Sequence, residues 1–223
     1  MKTELSFESL KSYLETPLSC SSDQIKVSQL SGGYSNLTFL VETPGEKLIL
    51  RRPPFGEKIA KAHDMGREYR ILESLQKAGY SKSPRPVLFC DEESVFGASF
   101  FLMEFVEGYV LRNKIPDGFN LTEEDFYQLS KNSLDCLIEL HGLELENSGL
   151  IQLGKPDGYA KRQVEGWSER YFKSKTHELT EIEKTAEWLK AYLPTSEPVG
   201  FIHNDFKYDN LVLDPEQKTA IKA

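Results

Sequence analysis

The sequence predicts an α+β protein, with an antiparallel sheet in its N-terminal half and mostly helices in its C-terminal half. Three observations predict it. From about Ile25 to Val106, short apolar runs alternate with turns marked by glycine and proline, the pattern of strands joined locally. Beyond Gly108 the apolar residues recur at helical spacing. The last helical block is followed by a polar loop, FIHNDFKYDN, and then by a short hairpin. The change of character near Val106–Gly108 divides the chain into residues 1–106 and 107–223.

Each element follows from its own pattern. Residues 6–15 read as an amphipathic helix with Phe7, Leu10, Tyr13 and Leu14 on one side, followed by a loop over 16–23. Two strands flank SGGYSN: Val27 and Leu30 lie before it, and Leu37, Phe39 and Val41 alternate after it. PGEK is a turn and LILRR a third strand. Residues 62–78 read as a helix from Met65, Tyr69, Leu72 and Leu75, stopped by Gly79. SPRPVLFC is extended, because proline disfavours helix in the residue before it. VFGASFFLMEFVEG reads as two more strands turning at Gly97.

In the second half, LTEEDFYQLSKNSLDCLIELHGL is a helix opened by the capping pair Thr122 and Asp125. Its inward face is expected to carry Phe126, Leu129, Leu137, Ile138 and His141. GYAKRQVEGWSERYF and ELTEIEKTAEWLKAYL are two further helices. NLVLD-PEQK-TAIKA closes the chain as a hairpin turning near Pro215.

A formal charge of −8 argues against duplex DNA and anionic membranes as partners, although residues 47–61 form a local basic cluster. Cys20, Cys90 and Cys136 make neither a disulfide framework nor a CxxC pair. No apolar run approaches the length of a membrane span, and the opening MKTELSFESLKSYLE lacks a signal-peptide core, so the expected location is the cytoplasm.

Three constellations carry candidate chemistry. SGGYSN lets a backbone approach phosphates, although a two-glycine turn alone is usually only a turn. Arg51, ending the third strand, and Glu68, on the next helix, are spaced as a strand cation and its helix partner; each taken singly also reads as a surface ion pair. The polar loop FIHNDFKYDN carries His203, Asp205, Lys207 and Asn210. An Asp there can orient a substrate hydroxyl, an Asn five residues later can ligand Mg²⁺, and the Lys between them can reach a transferring phosphate. His203 reads as structural, and an Asx-rich turn needs no catalysis. The order favours chemistry: glycine turn, strand cation, helix Glu, apolar hinge and HxD loop follow one another on the element types that phosphoryl transfer uses.

LSGGYSNLTFLV, LILRRPPFG, AHDMGREYRIL, VFGASFFLMEFVEG, GYAKRQVEGWSERY and FIHNDFKYDNLVLD together resemble the aminoglycoside phosphotransferase family, within the protein-kinase-like fold. More narrowly the chain resembles the branch related to phosphotransferase domains fused to acyl-CoA dehydrogenases. The resemblance implies a two-lobe molecule with residues 1–106 as nucleotide-binding lobe and 107–223 as a partial helical lobe. It implies that Ser31, Gly32, Gly33, Ser35 and Asn36 form the nucleotide-phosphate loop, that Arg51 stands where kinases usually carry Lys, and that Glu68 partners it. Met103, Glu104, Phe105 and Val106 would be the hinge for adenine, Asp205 the catalytic Asp and Asn210 a Mg²⁺ ligand. Arg162, Gln163 and Trp167 match a recurrent segment, with helix packing as the reading for Trp167.

Two departures stand out. Asn204 replaces the usual Gly between His and Asp, which is tolerable because Asn adopts positive φ more readily than most residues. The family's second metal-binding Asp is expected just past Ala223, and neither Asp209 nor Asp214 is expected to replace it, so the chain reads as a fragment or a truncated product. The expected function is ATP- and Mg²⁺-dependent phosphoryl transfer to a hydroxyl of a small molecule, with a hydroxyacyl metabolite favoured. The alternative is a non-catalytic nucleotide-binding or partner-binding module, or an inactive piece of a kinase.

Overall fold

A computed structural model describes residues 6–30, 36–54, 64–112, 114–116, 118–196 and 198–223. The α+β class expected from the sequence is the one observed: five antiparallel strands precede a run of helices. The strands are β1 (Lys26–Leu30), β2 (Leu37–Glu42), β3 (Lys47–Arg52), β4 (Pro86–Cys90) and β5 (Phe100–Glu104), in the order β1-β2-β3-β5-β4.

Register decides which side chains face the core. Alternation along β2, β3 and β5 puts Phe39, Val41, Leu48, Leu50, Phe100 and Leu102 into one buried cluster. Helix α1 (Phe7–Leu18) covers that face with Leu10 and Leu14, and Phe7 meets Phe39 and Phe96 edge-on. The helix is longer than its apolar pattern indicates. Pro17 lies inside its last turn, and Ser19 ends it in the left-handed region at φ 51°.

One strand assignment is corrected. VFGASFF does not open with a strand: Glu93–Phe96 is a short helical turn, α3, closed by Gly97 at φ 78°. The strand that pairs with β5 is PVLFC, the segment read as merely extended. Burial of Val95 and Phe96 under α1 wins over their β propensity. The buried Arg52 guanidinium fixes the turn by donating to the Phe96 carbonyl at 2.7 Å.

Helix α2 (Met65–Lys77) is capped by Asp64, whose carboxylate accepts the Arg67 N–H at 2.8 Å. Helix α4 (Glu123–His141) has the full reciprocal cap between Thr122 and Asp125. Its buried stripe is Leu129, Cys136 and Leu140, not the face expected. Leu129 was read correctly, but Ile138 is 60% exposed and His141 is exposed. Helix α4 carries apolar residues on two sides, and periodicity does not say which side meets α2. Leu75 and Tyr80 pack with Leu140 and Leu150, joining α2 and its following turn to α4 and the 3-10 turn Leu150–Leu153.

Helices α5 (Tyr159–Ser174) and α6 (Thr180–Ala191) pack on each other, tied by the Lys175–Glu183 ion pair at 2.7 Å. The packing reading of Trp167 does not hold: its ring is 64% exposed, with the Arg170 guanidinium 4.7 Å from its centroid.

The closing hairpin forms as expected, with Leu213 opposite Ile221 and the Asp214 carboxylate accepting N–H bonds from Glu216 and Gln217 in the turn. Its outer side pairs with Tyr109, whose N–H and carbonyl both bond Leu213 at 2.9 and 2.7 Å. Gly108 makes this contact possible, because a Cβ there would lie 2.3 Å from the Leu213 carbonyl oxygen.

Candidate functional site

The site is built in two parts from separate elements. On the sheet, antiparallel pairing places Arg51 between Thr38 of β2 and Phe101 of β5. From there its guanidinium reaches Glu68 in the first turn of α2, with Nη1 3.3 Å from Oε2. The other carboxylate oxygen of Glu68 accepts the Asn36 side-chain amide at 3.3 Å. The strand cation and helix carboxylate expected from order alone therefore meet, and Asn36 joins them. Ser31, Gly32, Gly33 and Ser35 lie outside the described residues.

The hinge segment divides by its hydrogen bonds. Met103 and Glu104 end β5, where the Glu104 N–H donates to the Arg85 carbonyl at 2.8 Å. The Phe105 N–H donates to the Lys47 carbonyl at 3.2 Å. Those two donors are engaged within the sheet and its flank. The Val106 N–H has no backbone acceptor among the described residues.

The second part is the loop that ends in a 3-10 turn, Tyr208–Asn210. Asn204 takes φ 65°, the left-handed region, and turns the chain so that the Asp205 N–H points back to His203 Nδ1 at 3.3 Å. That bond requires an unprotonated Nδ1. The imidazole packs edge-on to Phe206, and partial burial holds its pKa below the ordinary value. His203 thus takes the loop-holding role read from sequence.

Asp205 is gripped from both sides. The Asn210 amide donates to its Oδ2 at 2.9 Å and to its backbone carbonyl at 2.8 Å, while Lys207 Nζ lies 3.4 Å from Oδ1. The Asn210 bond, then Lys207, hold the Asp205 carboxyl below the usual carboxylate range, so it is ionised at neutral pH. The Asn210 nitrogen is committed to Asp205, and among the described residues no hydrogen bond is made to its Oδ1, an atom type that can ligand a cation. Asp214 is spent on its turn.

No cluster of three or more His, Cys, Asp or Glu side chains is placed to hold a metal among the described residues. Mg²⁺ does not require one, since it is commonly held by one or two protein oxygens plus phosphates and water. Asn210 Oδ1 fits that habit as a single ligand.

A cavity of about 350 Å³ adjoins the second part, lined by His203, Asn204 and Asn210 together with Arg67 of α2; Arg51, Glu68 and Asn36 do not line it. Arg67 also fastens α2 to the second half of the chain, donating to the Leu153 carbonyl at 3.2 and 3.3 Å. Two contributors had no clear sequence signal. Tyr159, at the start of α5, donates to Asn204 Oδ1 at 3.4 Å beside Asp205. Gly108 has a role only because the hairpin crosses it. Its position after the hinge was the one available hint.

Comparison with known proteins places the chain in a family and a fold. The phosphotransferase enzyme family is matched over residues 26–221. Acyl-CoA dehydrogenase family member 11 of Homo sapiens is 30% identical over 219 residues, covering 96% of this chain and 28% of that protein. Acyl-CoA dehydrogenase family member 10 of Mus musculus is 29% identical over 215 residues, covering 96% of this chain and 20% of that protein. The chain thus spans roughly a quarter of these curated relatives. A solved Ralstonia eutropha protein, named as a candidate aminoglycoside phosphotransferase, superposes with a TM-score of 0.82 at 26% identity, covering 99% of this chain and 64% of that one. Aminoglycoside phosphotransferase APH(4)-Ia shares the fold with a TM-score of 0.65 at 13% identity, over 98% of this chain and 70% of that one. With strand cation, helix carboxylate and HxD loop in place, and the family matched over most of its length, the chain belongs to the phosphotransferase enzyme family and has the protein-kinase-like fold of the aminoglycoside phosphotransferases.

Proposed function

We propose that the chain carries the nucleotide-binding lobe, residues 1–106, and the catalytic loop of an ATP-dependent phosphotransferase that acts on a hydroxyl of a small molecule. The observation that carries this reading is the exposed, ionised Asp205, held by Asn210 and flanked by Lys207. An acceptor hydroxyl would donate to the Asp205 carboxylate, which aims the oxygen lone pair at the terminal phosphorus of ATP. The new P–O bond forms as the bond to ADP breaks, and the hydroxyl proton passes to Asp205. Lys207 would offset charge on the transferring phosphoryl group. Arg51, oriented by Glu68, would contact the nucleotide phosphates, and Ser31, Gly32, Gly33, Ser35 and Asn36 would supply further phosphate contacts. Val106 N–H and the carbonyls of Met103 to Phe105 would address the adenine. Mg²⁺, held in part by Asn210 Oδ1, would supply charge neutralisation at the phosphates. Positioning and electrostatics dominate such transfers.

A hydroxyacyl compound is the favoured acceptor, supported by the curated relatives' names as acyl-CoA dehydrogenase family members. A reducing cytoplasmic setting is supported by the three free cysteines. The test is ATP turnover by the purified chain against alcohols, hydroxyacyl thioesters and aminoglycosides, alongside Asp205→Asn. The variant is expected to lose about 10²–10⁴-fold in kcat. Unchanged turnover removes Asp205 from the chemistry. Retained ATP binding with no transfer to any acceptor supports the non-catalytic module.

A further inference from the structure

Asn36 follows SGGYS directly in the sequence and, by position, is expected in a phosphate loop. Its side chain is turned to a carboxylate. The side chain is only 7% exposed, and its amide donates to Glu68 Oε1 at 3.3 Å while Arg51 takes Oε2 of the same carboxylate at 3.3 Å. Glu68 in turn sits on a helix fixed at both ends of its first turn. Asp64 caps α2, and Arg67 ties it to the Leu153 carbonyl in the second half of the chain. The Glu68 carboxylate therefore extends from an anchored helix turn, and Asn36 and Arg51 both reach it.

We propose that Asn36 is a positioning residue: its amide fastens the start of β2 to the Glu68 carboxylate, so that Asn36, the strand cation Arg51 and the first turn of α2 are held as one unit when a nucleotide binds. The inference rests on the nucleotide-binding reading of Arg51 and Glu68, and it differs from a phosphate contact in what it requires. A phosphate contact needs an amide donor at position 36. The fastening needs an amide facing a carboxylate, and either residue can supply either group. An ionised acceptor makes such a bond stronger than a neutral pair.

Reversing the pair separates the two. Asn36→Asp sets two carboxylates against each other, and Asn36→Asp with Glu68→Gln restores the bond with donor and acceptor exchanged. MgATP affinity by calorimetry and melting temperature without nucleotide are measured on the 223-residue chain, both single variants and the double. Asn36→Asp is expected to weaken MgATP binding about tenfold or more and to lower the melting temperature. The double variant is expected to bind more tightly and melt higher than Asn36→Asp alone. A double variant no better than Asn36→Asp in either measurement overturns the proposal. If the unmodified chain binds no MgATP, the nucleotide-binding reading fails. The fastening is then judged on melting temperatures alone, where rescue supports it and simple addition of the two losses overturns it.

Discussion

At the scale of single residues, the loop over 201–210 depends on unusual local choices more than on burial. Asn204 is at φ 65°, where the family's Gly would sit without strain, and Asn tolerates this region because its short polar side chain bonds locally. Here the Asn204 side chain also accepts from the Tyr159 hydroxyl, which is 45 residues earlier in the chain. The Arg51–Glu68 pair is about one-third exposed, so it contributes only about 0–1 kcal/mol to stability and matters as geometry. His203 gives a pH signature. Burial lowers its pKa from the reference 6.5, so the folded state prefers the neutral ring. Its contribution is complete above 6.5 and is lost as pH falls from there through the lower folded value. Melting temperature is therefore expected to fall between pH 7 and pH 5 by less in His203→Gln than in the unmodified chain. Equal slopes in thermal scans across that range would show that the imidazole is not the responsible group.

Between elements, the segment after β5 and the hairpin that follows the 201–210 loop are held together by a crossing of two backbones. Tyr109 exchanges both backbone bonds with Leu213, three residues beyond Asn210, and Gly108 leaves the space for it. The hairpin is fixed from its inner side as well, since Asn132 of α4 donates to the Thr219 carbonyl at 2.7 Å. Gly108→Ala forces a Cβ against the Leu213 carbonyl, where neither partner is a flexible side chain. A loss of about 1–3 kcal/mol is expected in urea unfolding, comparable to overpacking a core. A change below a few tenths of a kcal/mol would mean that the crossing yields easily and does not set the loop. Helix α4 teaches the opposite lesson about patterns. Its cap pair was legible because capping is local, whereas its buried stripe was misread because Phe126, Leu134 and Ile138 supply a second apolar side.

Across the whole molecule, the sheet core and the helical part are separate clusters joined by a third. Leu75 and Tyr80 come from the first half of the chain, and Leu140 and Leu150 from the second. Burial, with Cys136 and Glu139 nearby, raises the Tyr80 pKa to about 12. Leu140 is 2% exposed there, so Leu140→Ala is expected to cost about 2–5 kcal/mol by calorimetry or urea unfolding. A loss confined to the helical part, with the sheet melting unchanged, would show that the junction does not couple the two. By itself the sequence determined the α+β class, five of the helices, four of the strands in place and the residue types Arg51, Glu68, Asp205, Lys207 and Asn210 in their order. Those signals are local: periodicity, turn residues and spacing along the chain. Only the tertiary structure decided that VFGASFF opens as a helical turn, that Trp167 faces outward and that Asn36 reaches Glu68. The Tyr109–Leu213 crossing at Gly108 was likewise decided there. Each of those depends on a partner between about 32 and 104 residues away or on which face of a helix is covered, and neither is written in the residues themselves.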